Sequence, residues 1–342
     1  MKRVAFACVF LCLFAKTVFS QDRPVELKLS SWVPPKSIVG QIIDGWIKAV
    51  EEKTQGKVKI THYGGATLGA FSDHYNMVIT RQADIVLSGG HATVLPRYSV
   101  SALPFLYKSA EQASYVHWQL MEKYMKDTEL KNVKALFVIS TPPDQLLTNR
   151  RGVKTLKDLK GMKIATGQDI GLETLKALGA TATFIPAPDM YTALERGVID
   201  GLATNWEKAF VFKEYQVTKY RTEAFLWTNP MPIFMNLDAW NSLPEGTKKA
   251  IEEVSGLAYS RKAGAIFDEA EKRAKAKIEE EDLKKGRGRV YTIPADEMKR
   301  WIEKTSVVYE KWIKECEAKG VREASTILKD ARELASAYER SR

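Results

Sequence analysis

The chain has few of the residues that carry most catalytic and metal chemistry. Its 342 residues include 3 cysteines, Cys8, Cys12 and Cys316, and 4 histidines, His62, His74, His91 and His117. Cys8 and Cys12 fall inside the N-terminal apolar run, which leaves Cys316 alone. One cysteine excludes an intramolecular disulfide and a cysteine-based zinc site. No histidine forms a close ligand pair with another His, Asp or Glu at metal-like spacing, so each reads as a packing or surface residue. G-x-G-x-x-G, G-x-x-x-x-G-K-[ST], H-E-x-x-H and G-x-S-x-G are all missing, which removes nucleotide, zincin and esterase readings. Charge of one sign does not cluster either. Lys+Arg is 52 against Asp+Glu 42, a net charge of +10. The basic residues are interleaved with acidic ones, as in 272–285, so nucleic acid is not an expected partner. Acidic runs such as Glu279-Glu280-Glu281 belong to the same solvated helical surface.

What is present starts with an export pattern. Lys2 and Arg3 precede an apolar run from Val4 to Ala15, and Val18-Phe19-Ser20 ends it on a small residue. That layout is a signal peptide over 1–20. The run is about 12 residues, short of the roughly 20 that span a bilayer. Without Lys2, Arg3 and Lys16 the net charge falls from +10 to +7. No later apolar stretch reaches about 18 residues, so the processed chain is expected to be soluble and periplasmic. At 45% hydrophobic and 27% charged the composition is that of an ordinary globular protein, and the length suits about two domains.

Hydrophobic periodicity gives an α/β pattern twice. Val25, Leu27 and Leu29 alternate as a strand, and Ile38 to Val50 recur at helical spacing between Ser37 and Gly56. Val58 and Ile60 form a strand, 72–82 a short helix, and Asp84–Ser88 a strand entering Gly89-Gly90. Val133–Ser140 is continuously apolar, as in a strand buried on both faces. A second unit follows: strands at Met162–Thr166, Thr181–Ile185 and Val198–Leu202, helices at Gly171–Leu178 and Met190–Arg196. Pro232–Leu237 reads as a strand returning to the first sheet. Residues 245–284 form one long helix or two, with a short strand at Arg289–Ile293 and helices over 295–318 and 321–339. The expected architecture is a two-lobed α/β clamshell whose lobes are mostly parallel sheets flanked by helices. Lobe 1 takes 21–146 with about 230–260 returning to it, lobe 2 takes 147–229 plus part of the helical C-terminal region, and that region is 245–342. A cleft between lobes is a preferred place for a small-molecule site.

Several motifs together resemble one family. Gly64-Gly65-Ala66-Thr67-Leu68-Gly69, then Ala83-Asp84-Ile85 and Leu103-Pro104-Phe105-Leu106-Tyr107, are similar to the periplasmic solute-binding subunits of TRAP transporters. Asp158 to Ile164, Leu178-Gly179-Ala180 and Met235 to Trp240 continue the match. The longest stretch is Pro188-Asp189-Met190-Tyr191-Thr192-Ala193-Leu194-Glu195-Arg196-Gly197-Val198-Ile199-Asp200-Gly201; the family usually has Glu where Asp189 stands. The resemblance implies a periplasmic-binding-protein clamshell with a long helix bracing both lobes. It also implies a monomer without enzymatic activity or cofactor that closes on one small organic solute and docks on membrane-embedded TRAP permease subunits.

Most members of that family hold an organic acid through an Arg after the Lys-Ile pair, bidentate to the carboxylate. Here Ala165 follows Lys163-Ile164. A pocket Arg of the sialic-acid branch falls at Asp144. The usual Gln-Glu-Asn is replaced by Leu202-Ala203-Thr204, with Asn205 one place late. The arginine clamp is therefore absent from the sequence.

Trp32, Trp206 and Trp227 with Asp144 would suit an amine or a quaternary ammonium, ethanolamine- or choline-like, at about 0.5–2 kcal/mol per cation–π contact. Ser88, Gly89 and His91 from lobe 1, and Gln145, Thr166, Asn205, Asn229 and Asn236, complete the candidate ligand-binding set. Arg150 or Arg151 is a candidate neutraliser of Asp144. The alternatives are an organic acid or aromatic carboxylate held by other donors, a neutral aromatic compound, and an exported enzyme using His91 or Asp144 as a base.

Overall fold

The computed structural model of the protein describes residues 23–89 and 95–341. The export segment over 1–20 and His91 lie outside the described residues.

Among the described residues, eleven strands make two sheets. They are β1 (Val25–Ser30), β2 (Val58–Tyr63), β3 (Ile85–Leu87), β4 (Val133–Ser140), β5 (Gln145–Thr148), β6 (Lys163–Thr166), β7 (Thr181–Phe184), β8 (Gly201–Thr204), β9 (Tyr220–Glu223), β10 (Pro230–Asn236) and β11 (Arg289–Thr292). The lobe 1 sheet has the order β2-β1-β3-β10-β4, and the lobe 2 sheet β11-β9-β5-β8-β6-β7. Both are mixed sheets in which a single strand runs against otherwise parallel neighbours, as expected of mostly parallel lobes. β10 runs antiparallel to β3 and β4, and β5 runs antiparallel to β8 and β9. These reversals arise because β5 and β10 are where the chain changes lobes.

In lobe 1, Ile42, Ile43, Trp46 and Val50 of helix Ile38–Lys53 pack on one face of the sheet with Leu29, Ile85 and Phe137. Ser37 caps that helix by accepting from the Gly40 N–H at 3.1 Å. The other face carries helices Ala110–Leu120, Ser306–Ala318 and Ala324–Arg340, with Trp312, Ile327 and Leu328 against Val86, Val138 and Phe234. Lobe 2 has a core on each side of its sheet, one around Leu146, Ile164, Leu226 and Trp301, the other around Leu147, Ala165, Leu202 and Trp206.

Two chain segments cross between lobes side by side. Asp144 N–H donates to the Trp227 carbonyl at 2.9 Å and Leu226 N–H to the Asp144 carbonyl at 2.8 Å. Thr141 and Asn229 pair in the same way at 3.1 Å, and the Thr141 hydroxyl accepts from the Asn229 N–H at 2.9 Å.

A third connection is helix Gly256–Lys284. Residues 245–284 are thus two helices, because Gly256 takes φ +66° and breaks the run after Glu245–Glu253. The long helix starts on lobe 1, where the Tyr259 hydroxyl donates to the Ile42 carbonyl at 2.9 Å and Ser260 accepts from the Val138 N–H at 3.0 Å. It ends on lobe 2, where Ala274 and Ile278 join the Trp206 core. Gly264 makes the close approach to lobe 1: a Cβ there would stand 2.5 Å from Glu111 Cα and 2.6 Å from the Ala110 oxygen. Gly264→Ala is expected to lower stability by about 1–3 kcal/mol, read as a lower denaturant midpoint, because backbone must move to admit the methyl.

Candidate functional site

A cavity of about 370 Å³ opens between the lobes. Lobe 1 contributes Phe71, Tyr98, Ser99 and Ala102; lobe 2 contributes Gly167, Gln168, Asp169, Ile170 and Phe184; the crossing segment contributes Asn229 and Pro230. The lobe 2 wall is the carboxyl edge of its sheet, since Gly167 follows β6 and Phe184 ends β7. This is where open α/β sheets present ligand groups.

The lobe 1 wall is a stack of aromatic rings. Trp32, just past β1, stands edge-on to Phe71 with centroids 4.6 Å apart and edge-on to His74 at 5.4 Å. Phe71 covers Gly89, where an added Cβ would lie 2.0 Å from the ring. Only glycine at 89 lets the ring sit that close. Tyr98 is buried with its hydroxyl unpartnered, and its ring meets His117 edge-on at 4.5 Å. His117 is fully buried and pushed down to about 3, so it is neutral; its Nδ1 pairs with the Ser101 hydroxyl. His74 is likewise lowered by burial, donating from Nδ1 to the Ala70 carbonyl at 2.8 Å with Nε2 on the Ser30 hydroxyl at 3.1 Å. His62 bridges Asp44 and Ser31. These histidines are packing groups.

Of the sequence candidates, Trp32, Gly89, Thr166 and Asn229 lie at or immediately behind the cavity. Thr166 ends β6, and its hydroxyl accepts from the Gln168 N–H at 3.2 Å, turning the chain into helix Asp169–Ala177. Trp227 sits just behind that turn, because a Cβ on Gly171 would be 2.4 Å from Thr166 Oγ1 and 2.7 Å from the Trp227 ring. Ser88 is buried and paired through its N–H to the Pro232 carbonyl at 2.8 Å.

Other candidates are committed elsewhere. Asn236 donates from Nδ2 to the Val78 carbonyl at 2.8 Å and accepts from the Ala239 N–H at 2.9 Å, tying a helix start to β10. Gln145 accepts from the Ala224 and Phe225 N–H groups at 2.7 and 3.0 Å and donates to the Pro143 carbonyl. Asn205 caps helix Trp206–Val211 by accepting from the Lys208 N–H at 2.9 Å. Trp206 is a core residue of lobe 2, with the Lys275 ammonium 5.7 Å from its ring.

Asp144 is 2% exposed and lies with Asn205, Trp227 and Lys208, not among the described residues lining the cavity. Burial pushes its carboxyl up, and the Lys208 charge pulls it back. Neither suggested neutraliser reaches it: Arg150 faces Asp200 at 3.9 Å, and Arg151 donates to the Asp158 and Lys160 carbonyls. Sequence reasoning also missed two buried acids near it. Glu214 is fully buried, and burial raises it to about 7 against the Lys208 charge and the Thr204 hydroxyl. Burial raises Glu271 to about 8, with Asp144 and Glu207 adding repulsion against two backbone N–H bonds. Phe71, Tyr98, Gln168 and Phe184 were missed as lining residues; no local pattern marks them.

None of the described lining residues is Arg or Lys, and Asp169 is the charged one. Among the described residues no cluster suited to a metal occurs, and no helix is long and apolar enough to cross a membrane. Two α/β lobes joined by crossing segments and a bracing helix, with a ring-lined cavity between them, define a two-lobed solute receptor.

The chain belongs to the bacterial extracellular solute-binding proteins, family 7, whose model matches residues 29–315. It is similar to a TRAP periplasmic solute-binding protein of Desulfovibrio salexigens, 30% identical, covering 92% of this chain and 97% of that one with a TM-score of 0.85. A TRAP solute-binding protein of Rhodoferax ferrireducens, solved with copurified benzoate, is 27% identical, covers 93% and 99%, and gives a TM-score of 0.81. A solute-binding protein of Chromohalobacter salexigens is 24% identical over 287 residues, 81% of this chain and 85% of that one. The family is one of periplasmic TRAP receptors, not enzymes.

Proposed function

We propose that the protein delivers a compact aromatic acid to a TRAP permease and holds it without an arginine clamp. The observation that carries this is the placement of Phe71 and Tyr98 from one lobe and Phe184 from the other on one small cavity. Flat faces from both sides suit a ring, which closure would sandwich. The benzoate in the Rhodoferax relative supports the same class. The carboxylate is received by neutral donors: the amides of Gln168 and Asn229, the Tyr98 hydroxyl, and the N–H groups opening the nine-residue helix Asp169–Ala177, whose positive end faces the cavity. Export through the N-terminal segment delivers the receptor to the periplasm.

A second reading, an aromatic amine, is favoured by Asp169 on the rim and by the lack of Arg and Lys among the described lining residues. The amine expectation centred on Asp144 loses its basis, because that carboxyl faces Lys208 inside lobe 2.

Calorimetry with benzoate, benzylamine and succinate separates these. Benzoate is expected to bind, and Phe184→Ala to weaken it by about 0.5–1.5 kcal/mol, roughly 2- to 12-fold. Binding of benzylamine alone would replace the acid reading with the amine one. Binding of succinate alone would overturn both.

A further inference from the structure

Helix Gly256–Lys284 carries two largely buried carboxylates three residues apart, and each belongs to a different lobe. Asp268 accepts from the Ala110 and Glu111 N–H groups at 2.7 and 2.9 Å, the first turn of helix Ala110–Leu120 in lobe 1. Glu271 accepts from the Trp206 and Glu207 N–H groups at 2.9 and 2.8 Å, the first turn of helix Trp206–Val211 in lobe 2. First-turn amides have no acceptor within their own helix, so a carboxyl group with both oxygens turned toward them satisfies two of them at once.

The two joints differ. One turn before Asp268, Gly264 puts the helix backbone against the start of helix Ala110–Leu120, and a Cβ there would be 2.6 Å from the Glu111 nitrogen. Ser260, one turn earlier again, is tied to β4. The brace is thus fixed to lobe 1 through backbone. Glu271 instead reaches lobe 2 through a side chain with three rotatable torsions.

We propose that Asp268 and Glu271 are positioning residues for closure: Asp268 with Gly264 fixes the brace to lobe 1, and Glu271 is the joint on which lobe 2 turns. This rests on the receptor closing over a solute and is independent of which solute it is. The four bonds hold the two helix starts to one turn of a single rod, at the point where its lobe 1 contacts end and its lobe 2 contacts at Ala274 and Ile278 begin. The paired crossing segments at Asp144–Trp227 and Thr141–Asn229 then bend with the turn.

The test is an interlobe distance measured without ligand. Spin labels go on Lys48→Cys in helix Ile38–Lys53 and Glu195→Cys in helix Ala187–Glu195, both exposed; Cys316 is buried and stays unlabelled. Double electron–electron resonance is recorded for this pair alone and with Glu271→Ala, Glu271→Gln or Ile278→Val. Glu271→Ala is expected to widen or displace the distance distribution, and Glu271→Gln, which keeps one acceptor oxygen, to restore most of it. Ile278→Val, which loosens the same helix against the lobe 2 core, is expected to leave it unchanged. An unchanged distribution with Glu271→Ala, or an equal change with Ile278→Val, would overturn the assignment. If Glu271→Ala does not fold, Glu271→Asp decides: its shorter arm displaces the maximum if the joint is real and leaves it in place if it is not.

Discussion

Asp282→Ala is expected to lower the stability of lobe 2 by about 3–5 kcal/mol, a loss large enough to threaten folding of the lobe. Asp282 is 2% exposed and stands between two arginines. Arg221 Nη2 lies 2.8 Å from Oδ2, and Arg287 Nε lies 3.1 Å from Oδ1. Arg221 is itself fully buried, with further bonds to the Tyr215 and Thr218 carbonyls at 2.8 and 3.3 Å. Removing the carboxylate leaves a guanidinium in the interior with no countercharge, which costs far more than the pair contributes when intact. A urea titration followed by circular dichroism measures the loss. A midpoint within error of the parent would mean that water reaches Arg221. Arg287→Ala is expected to cost less, because that arginine is partly exposed and Arg221 still faces the acid.

Stability is expected to fall as pH rises from about 6.5 to 8, by an amount on the order of a few kcal/mol. Glu271 and Glu214 are held at about 8 and about 7 in the folded chain, above the ordinary carboxyl value of 4.5. A carboxyl raised on folding makes the native state bind more protons than the unfolded one. Its contribution is therefore fully present below the unfolded value and is lost as pH climbs through the folded value. His117 acts in the opposite sense, but only between its folded value of about 3 and the ordinary 6.5. Above 6.5 the carboxyls act alone. Chemical denaturation at pH 6.5, 7.25 and 8 reads the slope, and Glu271→Gln, which mimics the protonated form, is expected to flatten it. A slope that is zero or positive in the parent would show both acids ionised throughout.

The strands that stand in long apolar runs were legible from the sequence, Val133–Ser140 above all, because burial on both faces leaves no polar position. β5 and β9 were not. Each is four residues long, and Tyr220-Arg221-Thr222-Glu223 carries two charges whose partners, Asp282 for Arg221 and Lys275 for Glu223, lie far along the chain. The break at Gly256 is a positive-φ choice that helical periodicity does not register. Sequence candidates in the loops after β1, β3 and β6 stand at or behind the cavity, and the rings that line it are others. Trp206 has the composition of a pocket residue, yet Ala274 and Ile278 of the long helix cover it. Phe71 and Phe184 meet at one cavity only because two lobes bring positions more than a hundred residues apart together. Asp144 was singled out for its charge, but its countercharge proved to be Lys208, placed by the Asn205 cap and not by proximity in sequence.

Phe71 and Phe184 are 43% and 51% exposed on opposite rims of the cavity. In the empty receptor both rims carry hydrocarbon against water. Any cargo that lets the rims meet releases that solvent, so part of the drive toward the shut form is generic and does not depend on what is inside. Discrimination among cargoes is then left to a few polar groups, Gln168, Asn229 and the carboxylate of Asp169. Under the aromatic-acid proposal, a receptor built this way suits a group of related ring compounds more than one molecule held very tightly.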